Sequence, residues 1–166
     1  MLSDMDEATI PQPMTIRGGR VIDPSQGLDE VTDVVLEDGR VSKIGKVSKP
    51  AGATFDASGC IVSPGLIDPQ VHFREPGQED KETIASGAAA AVAGGFTSVV
   101  CMANTRPAID DDAMIEFVYR QAARAGLCNV FPAGAVTKGR KGEELAEIGL
   151  MARAGAFRSA SRPPCS

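Results

Sequence analysis

One histidine occurs in the 166 residues, and it lies in the stretch "LIDPQVHFREPG" from Leu66 to Gly77. An apolar strand running into a loop is where a metal-binding His-x-His pair would sit. Side chains alternate with period two along a strand, so two imidazoles at that spacing can reach one ion. Gln70 and His72 keep the spacing but not the chemistry. A glutamine carbonyl is a poor neutral ligand for zinc, and one imidazole cannot supply the three protein ligands that a catalytic zinc site uses. A lone histidine after a strand is more often a hydrogen-bonded structural residue. Arg74, two residues on, could grip a substrate carboxylate with its planar fork, or form a surface ion pair with Glu75 or Glu79. Asn104 could donate to the same anion, or act as an ordinary turn residue before Pro107.

These residues need elements to position them. From Met14 to Ser63 short β-branched runs alternate with turn signals, including Pro24-Ser25-Gln26-Gly27 and an Asp38-Gly39 pair that predicts a hairpin between Val34 and Ile44. This segment reads as a small all-β module. Beyond it the period changes. After "LIDPQVHF" comes "KETIASGAAAAVAGGF", a helix pattern with acidic and hydroxyl residues at its start and Gly94-Gly95 at its end. "TSVVCMAN" predicts a buried strand, and "DDDAMIEFVYRQAARAG" an amphipathic helix with Asp110 to Asp112 favouring its N-terminus. "CNVFPAGAV" and "GEELAEIGLMARAG" repeat the two signals.

Three strand and helix units imply a parallel sheet with right-handed crossovers. No GxGxxG or GxxxxGK[ST] fingerprint follows any of these strands, so a nucleotide-binding doubly wound fold is the weaker choice. A (β/α) barrel places its chemistry in the loops after strands, where His72, Arg74 and Asn104 fall.

Composition narrows the function classes. With 43% hydrophobic residues the chain has the make-up of a globular domain or a piece of one. Its 17 Lys and Arg are outnumbered by 22 Asp and Glu, for a net charge of −5, and form no basic run, which argues against a nucleic-acid surface. Cys60, Cys101, Cys128 and Cys165 are widely spaced, with no CxxC. The first three read as small hydrophobes on buried strands and Cys165 as exposed in a polar tail, a usage that suits a reducing cytoplasm. The acidic start has no signal-peptide pattern, and no apolar run reaches about 18 residues, so neither secretion nor membrane spanning is expected. Pro11 and Pro13 mark residues 1–13 as a loose leader.

The run "SPGLIDPQVHFREPGQEDKETIASGAAAAVAGGFTSVVCMANTRPAID" resembles the opening of the barrel in dihydroorotases, members of the amidohydrolase superfamily that includes hydantoinases and allantoinases. "HFREPG", "KETIASG", "GGFT" and "NTRP" at these spacings carry the resemblance, which covers about residues 14–157. It implies an α/β fold, a partial (β/α)8 TIM-type barrel of about three βα units at 64–157. A small β-sandwich-like domain at 14–63 would precede it and an atypical tail at 158–166 would follow. It also implies zinc, which in the family generates hydroxide and polarises the ring amide as dihydroorotate opens to N-carbamoyl-aspartate. His72 matches the second histidine of the metal pair, Gln70 stands in place of the first, and Arg74 and Asn104 match the residues that hold the dihydroorotate carboxylate.

The family's further metal histidines and catalytic aspartate lie on later strands than this chain contains. Where the family commonly shows a Ser-Asp-Asp-Gly-Arg-Pro type segment, this chain reads "RSASRPPCS", with no Asp or Glu after Glu147. Three readings follow: a dihydroorotase-type enzyme of pyrimidine biosynthesis represented by an N-terminal portion and inactive alone; a noncatalytic partner of aspartate transcarbamoylase or of another copy; and a nonfunctional fragment. A sheet with unclosed edges predicts poor solubility or association, with "TSVVCMAN" presenting apolar surface.

Overall fold

The computed structural model describes residues 13–160. The leader before Pro13 and the cysteine at position 165 lie outside the described residues. The chain divides into two compact units, Met1–Pro64 and Gly65–Ser166.

The first unit is one mixed sheet. Strand β1 (Met14–Asp23) pairs antiparallel with β2 (Leu28–Glu37), which pairs antiparallel with β3 (Arg40–Ile44); β4 (Ala53–Asp56) and β5 (Ile61–Val62) both run parallel to β1. The β1–β2 connection is a 3-10 turn over Pro24–Gln26, with the Asp23 side chain accepting from the Ser25 N–H. Asp38 and Gly39 have φ of 50° and 71°, the positive values that the tight β2–β3 hairpin requires. A bulge in β1 between Ile16 and Gly19 breaks the register with β2. There Asp33, a buried carboxylate, accepts from the Gly18 N–H at 2.9 Å and the Val47 N–H at 2.9 Å. The expected β-sandwich is therefore corrected to a single sheet among the described residues.

The second unit is a parallel sheet in the order β6-β7-β8-β9, with helices in the connections. Strand β6 (Leu66–Val71) leads to α1 (Ile84–Ala93), then β7 (Phe96–Cys101), α2 (Asp112–Ala125), β8 (Asn129–Ala135), α3 (Ile148–Arg153) and β9 (Arg158–Ala160). Helix α1 opens on a reciprocal capping box between Thr83 and Ser86, and α2 on Asp111, which accepts from the Met114 N–H. Ile84, Val99, Ile109, Ile115, Val118 and Met151 are wholly buried between helices and sheet.

Four sequence expectations change. The third helix is six residues, not a repeat of the longer pattern, because Thr137 bridges to Leu145 and α3 starts only after Glu147. Residues 158–160, read as tail, pair with β8 as a fourth strand, with Ala133 opposite Arg158. Val99 to Ala103 of "TSVVCMAN" are buried, so this strand does not present its apolar surface, whereas on the edge strand β6 Leu66 and Ile67 are 52% and 68% exposed. Pro69 fits that edge position, since proline cannot donate to a central ladder. Of the three cysteines expected on buried strands, only Cys101 qualifies. Cys60 is exposed ahead of β5, and Cys128 is half-buried ahead of β8.

Candidate functional site

Parallel pairing brings the C-terminal ends of β6, β7 and β8 to one side of the sheet, and the three loops that leave them are bonded to each other. The Met102 N–H donates to the Val71 carbonyl at 2.9 Å, and one residue beyond Val71 the His72 Nδ1 lies 2.8 Å from Asn104 Oδ1. Further out, the Arg106 N–H donates to the Pro76 carbonyl at 3.0 Å. Gly77, at φ 89°, approaches so closely that a Cβ there would lie 1.8 Å from the Arg106 carbonyl oxygen. Thr105 is buried and its hydroxyl donates to the Pro107 carbonyl. The β7 and β8 loops are joined in turn by Ala135 N–H to Ile109 O at 2.7 Å and by Gly139 N–H to Asp110 Oδ2 at 2.6 Å.

An amide oxygen only accepts, so the contact with Asn104 requires His72 to carry its proton on Nδ1. The lone pair then sits on Nε2. Metal-ligating histidines are commonly oriented this way, by a carbonyl acceptor on the other ring nitrogen. The partner that would complete a pair is lacking: Gln70 is exposed, and its backbone N–H donates to Asp68 Oδ1 at 2.9 Å. The register of β6 is also irregular just before His72. Asp68 pairs with Val99 but Val71 with Cys101, so β6 spends an extra residue there and ends before His72.

Among the described residues no three His, Cys, Asp or Glu side chains are grouped to hold a metal ion. Cys101 is wholly buried in the core of the unit, where burial pushes its thiol up to about 11. One imidazole nitrogen beside a glutamine does not fit a catalytic zinc.

Arg74 is half-buried and makes no hydrogen bond or ion pair with any described residue. Neither of the acidic neighbours suggested as ion-pair partners takes it. The Glu75 carboxylate accepts from the Ile84 N–H at 2.7 Å and from Gln121 Nε2 at 3.0 Å, while Glu79 accepts from the Gly77 N–H. Glu75 and Gln121 were not singled out from the sequence. Only the Glu75 position beside Arg74 hinted at a role, and it pointed to the wrong partner. A groove of about 510 Å³ lined by Thr97, Tyr119, Leu127, Cys128, Asn129 and Phe131 lies at the opposite, N-terminal ends of β7 and β8.

Against known proteins, the family model described as dihydro-orotase-like matches residues 59–162, well over half of the chain. The chain belongs to the dihydro-orotase-like family. It is 56% identical over 144 residues to a dihydroorotase of Pelobacter propionicus and 54% identical over 144 residues to one of Geobacter sulfurreducens; each match covers 86% of this chain and 34% of the relative. This dihydro-orotase-like chain thus spans about a third of the length of the curated relatives it matches. Among solved structures it is similar to the L-hydantoinase (dihydropyrimidinase) from Arthrobacter aurescens, with a TM-score of 0.75 and 25% identity over 91% of this chain and 34% of that one. It is also similar to a D-hydantoinase from Thermus sp., with a TM-score of 0.60 and 28% identity over 75% of this chain and 28% of that one.

Proposed function

We propose that this chain carries the substrate-carboxylate end of a dihydroorotase-type cyclic amidohydrolase of pyrimidine biosynthesis. Ring opening of dihydroorotate to N-carbamoyl-aspartate is not performed by these 166 residues alone. The observation that carries this reading is Arg74, without a hydrogen-bond or ion-pair partner among the described residues, two positions after His72 on a loop that the His72–Asn104 bond ties to the next one. With its Oδ1 engaged by His72, Asn104 keeps two amide hydrogens to donate, and Arg74 offers a planar fork of five. A carboxylate takes both types of donor, and charge-assisted bonds of this kind are the stronger ones. His72 supplies one nitrogen toward zinc. The remaining donors would have to come from elsewhere.

On this reading residues 64–157 form the first βα units of a (β/α)8 barrel, and residues 14–63 the small β domain that accompanies it. The order β6-β7-β8-β9 and the likeness to the hydantoinases support that assignment.

Gln70 favours a second reading, a noncatalytic dihydroorotase-like partner of aspartate transcarbamoylase or of another copy, because that reading needs no metal pair.

The test is zinc analysis and a dihydroorotate hydrolysis assay on the purified chain and on Gln70→His, with calorimetric titration of N-carbamoyl-aspartate. The proposal expects no stoichiometric zinc and no turnover in the unmodified chain, with binding that Arg74→Ala abolishes. Zinc with turnover in the unmodified chain overturns it, and so does binding that Arg74→Ala leaves unchanged. Capture of aspartate transcarbamoylase without ligand binding selects the second reading.

A further inference from the structure

Arg74 has a φ of 63°, and the N–H of Glu75 donates to the carbonyl of Phe73 at 2.7 Å. A bond from residue i+2 back to residue i across a positive central φ defines a γ-turn of the rare, strained type. For a side chain as long as arginine such a turn persists only where the surroundings over-determine it. Among the described residues the Arg74 side chain makes no bond of its own to hold it.

Its two neighbours are both held by helix α1. Phe73 is 5% exposed and lies over Gly87, so close that a Cβ on Gly87 would come within 2.3 Å of the Phe73 ring. On the other side, Glu75 Oε2 takes the N–H of Ile84, the first residue of α1, and Oε1 takes Gln121 from α2. Helix α1 already has its own cap in Thr83 and Ser86. The Glu75 carboxylate is therefore not needed to start the helix. What it adds is a link from the loop to two helices, one of them 46 residues away in sequence.

We propose that Glu75 and Gly87 are positioning residues that hold Arg74 in its positive-φ turn and so set the approach of its guanidinium to the substrate carboxylate. This rests on the reading of Arg74 as the carboxylate-binding residue. Gly87 gives Phe73 room to anchor one end of the turn, and Glu75 fastens the other. The chemistry recognised is that of a cyclic amide or ureido acid bearing a carboxylate. Freedom of Arg74 to leave the turn would spread the guanidinium over several orientations and weaken binding without removing the cation.

Two readouts test it on the full chain: the NMR cross-peak between the Hα and H–N of Arg74, strong only at positive φ, and calorimetric affinity for N-carbamoyl-aspartate. Glu75→Ala is expected to lose the strong cross-peak and about tenfold in affinity, the scale of one charge-assisted bond. Glu75→Gln keeps a carbonyl oxygen for the Ile84 N–H and is expected to restore most of both. Gly87→Ala is expected to disturb the Arg74 signals with Glu75 intact. Where Glu75→Ala fails to fold, Gln121→Ala removes one bond from the outside of the clamp and is expected to shift the Arg74 amide resonance and weaken binding several-fold. An Arg74 cross-peak and affinity unchanged in Glu75→Ala, or in Gln121→Ala where that variant must serve, overturn the proposal. Absence of binding by the unmodified chain sinks the carboxylate reading instead. The cross-peak alone then decides the clamp, its loss in Glu75→Ala supporting it and its persistence overturning it.

Discussion

His72 and Asn104, 32 residues apart in sequence, meet at 2.8 Å between the imidazole Nδ1 and the amide Oδ1. The contact joins the loop after β6 to the loop after β7, and it leaves Nε2 of His72 and the amide hydrogens of Asn104 for other partners.

Asn104→Ala removes the acceptor that selects the His72 tautomer. Nitrogen-15 spectra of the imidazole are expected to show Nδ1 protonated in the unmodified chain at a pH where the ring is neutral, and a mixture of tautomers in the variant. The accompanying loss of stability is about 1 kcal/mol, the net value of one hydrogen bond. An unchanged tautomer would mean that Asn104 does not orient the ring.

Gly77→Ala is expected to be among the most damaging small substitutions in the second unit. The added Cβ meets the Arg106 backbone oxygen, which has no flexible end to move aside, at a φ of 89° that alanine rarely adopts. The combined strain predicts a loss of about 3 kcal/mol or more, measured by urea titration. A variant as stable as the unmodified chain would show that the two loops do not pack as described.

Asp33 links the first unit to pH. Backbone N–H groups of Val47 and Gly18 hold its carboxyl below the ordinary 3.8. A depressed folded value stabilises the fold above the unfolded value and loses that contribution as pH falls through the lower folded one. Denaturant melts of the unmodified chain are therefore expected to weaken below about pH 4, starting from the ordinary aspartate range. Asp33→Asn, with one acceptor oxygen for two donors, is expected to be less stable at pH 7 and to show a smaller acid loss. An equal acid loss in both would assign it to other carboxylates.

Ile67 is 68% exposed on β6, an edge strand with one neighbour among the described residues. A lysine on an edge discourages pairing with another chain. Ile67→Lys is expected to reduce any concentration-dependent association seen by sedimentation, while leaving the melting temperature within a few degrees, as surface changes usually do. Unchanged association would place the contact on another surface.

The local sequence of this chain determined what local chemistry can determine. Asp38-Gly39 makes a tight hairpin because both backbone positions need positive φ, Thr83 and Asp111 start helices because their side chains satisfy free N–H groups, and the apolar run from Val99 to Ala103 is buried. His72, Arg74 and Asn104 were legible as candidates by residue type and by their positions after strands. Their arrangement was not. The bond from His72 to Asn104, the ties from Glu75 to Ile84 and Gln121, and the pairing of Arg158 with Ala133 connect residues whose separation in sequence carries no signal of contact. The same holds for the short third helix, where a bridge from Thr137 to Leu145 overrode a good helical pattern. Propensity and spacing act within a few residues, whereas hydrogen bonds and packing between distant segments depend on which strands become neighbours, and only the tertiary structure decides that.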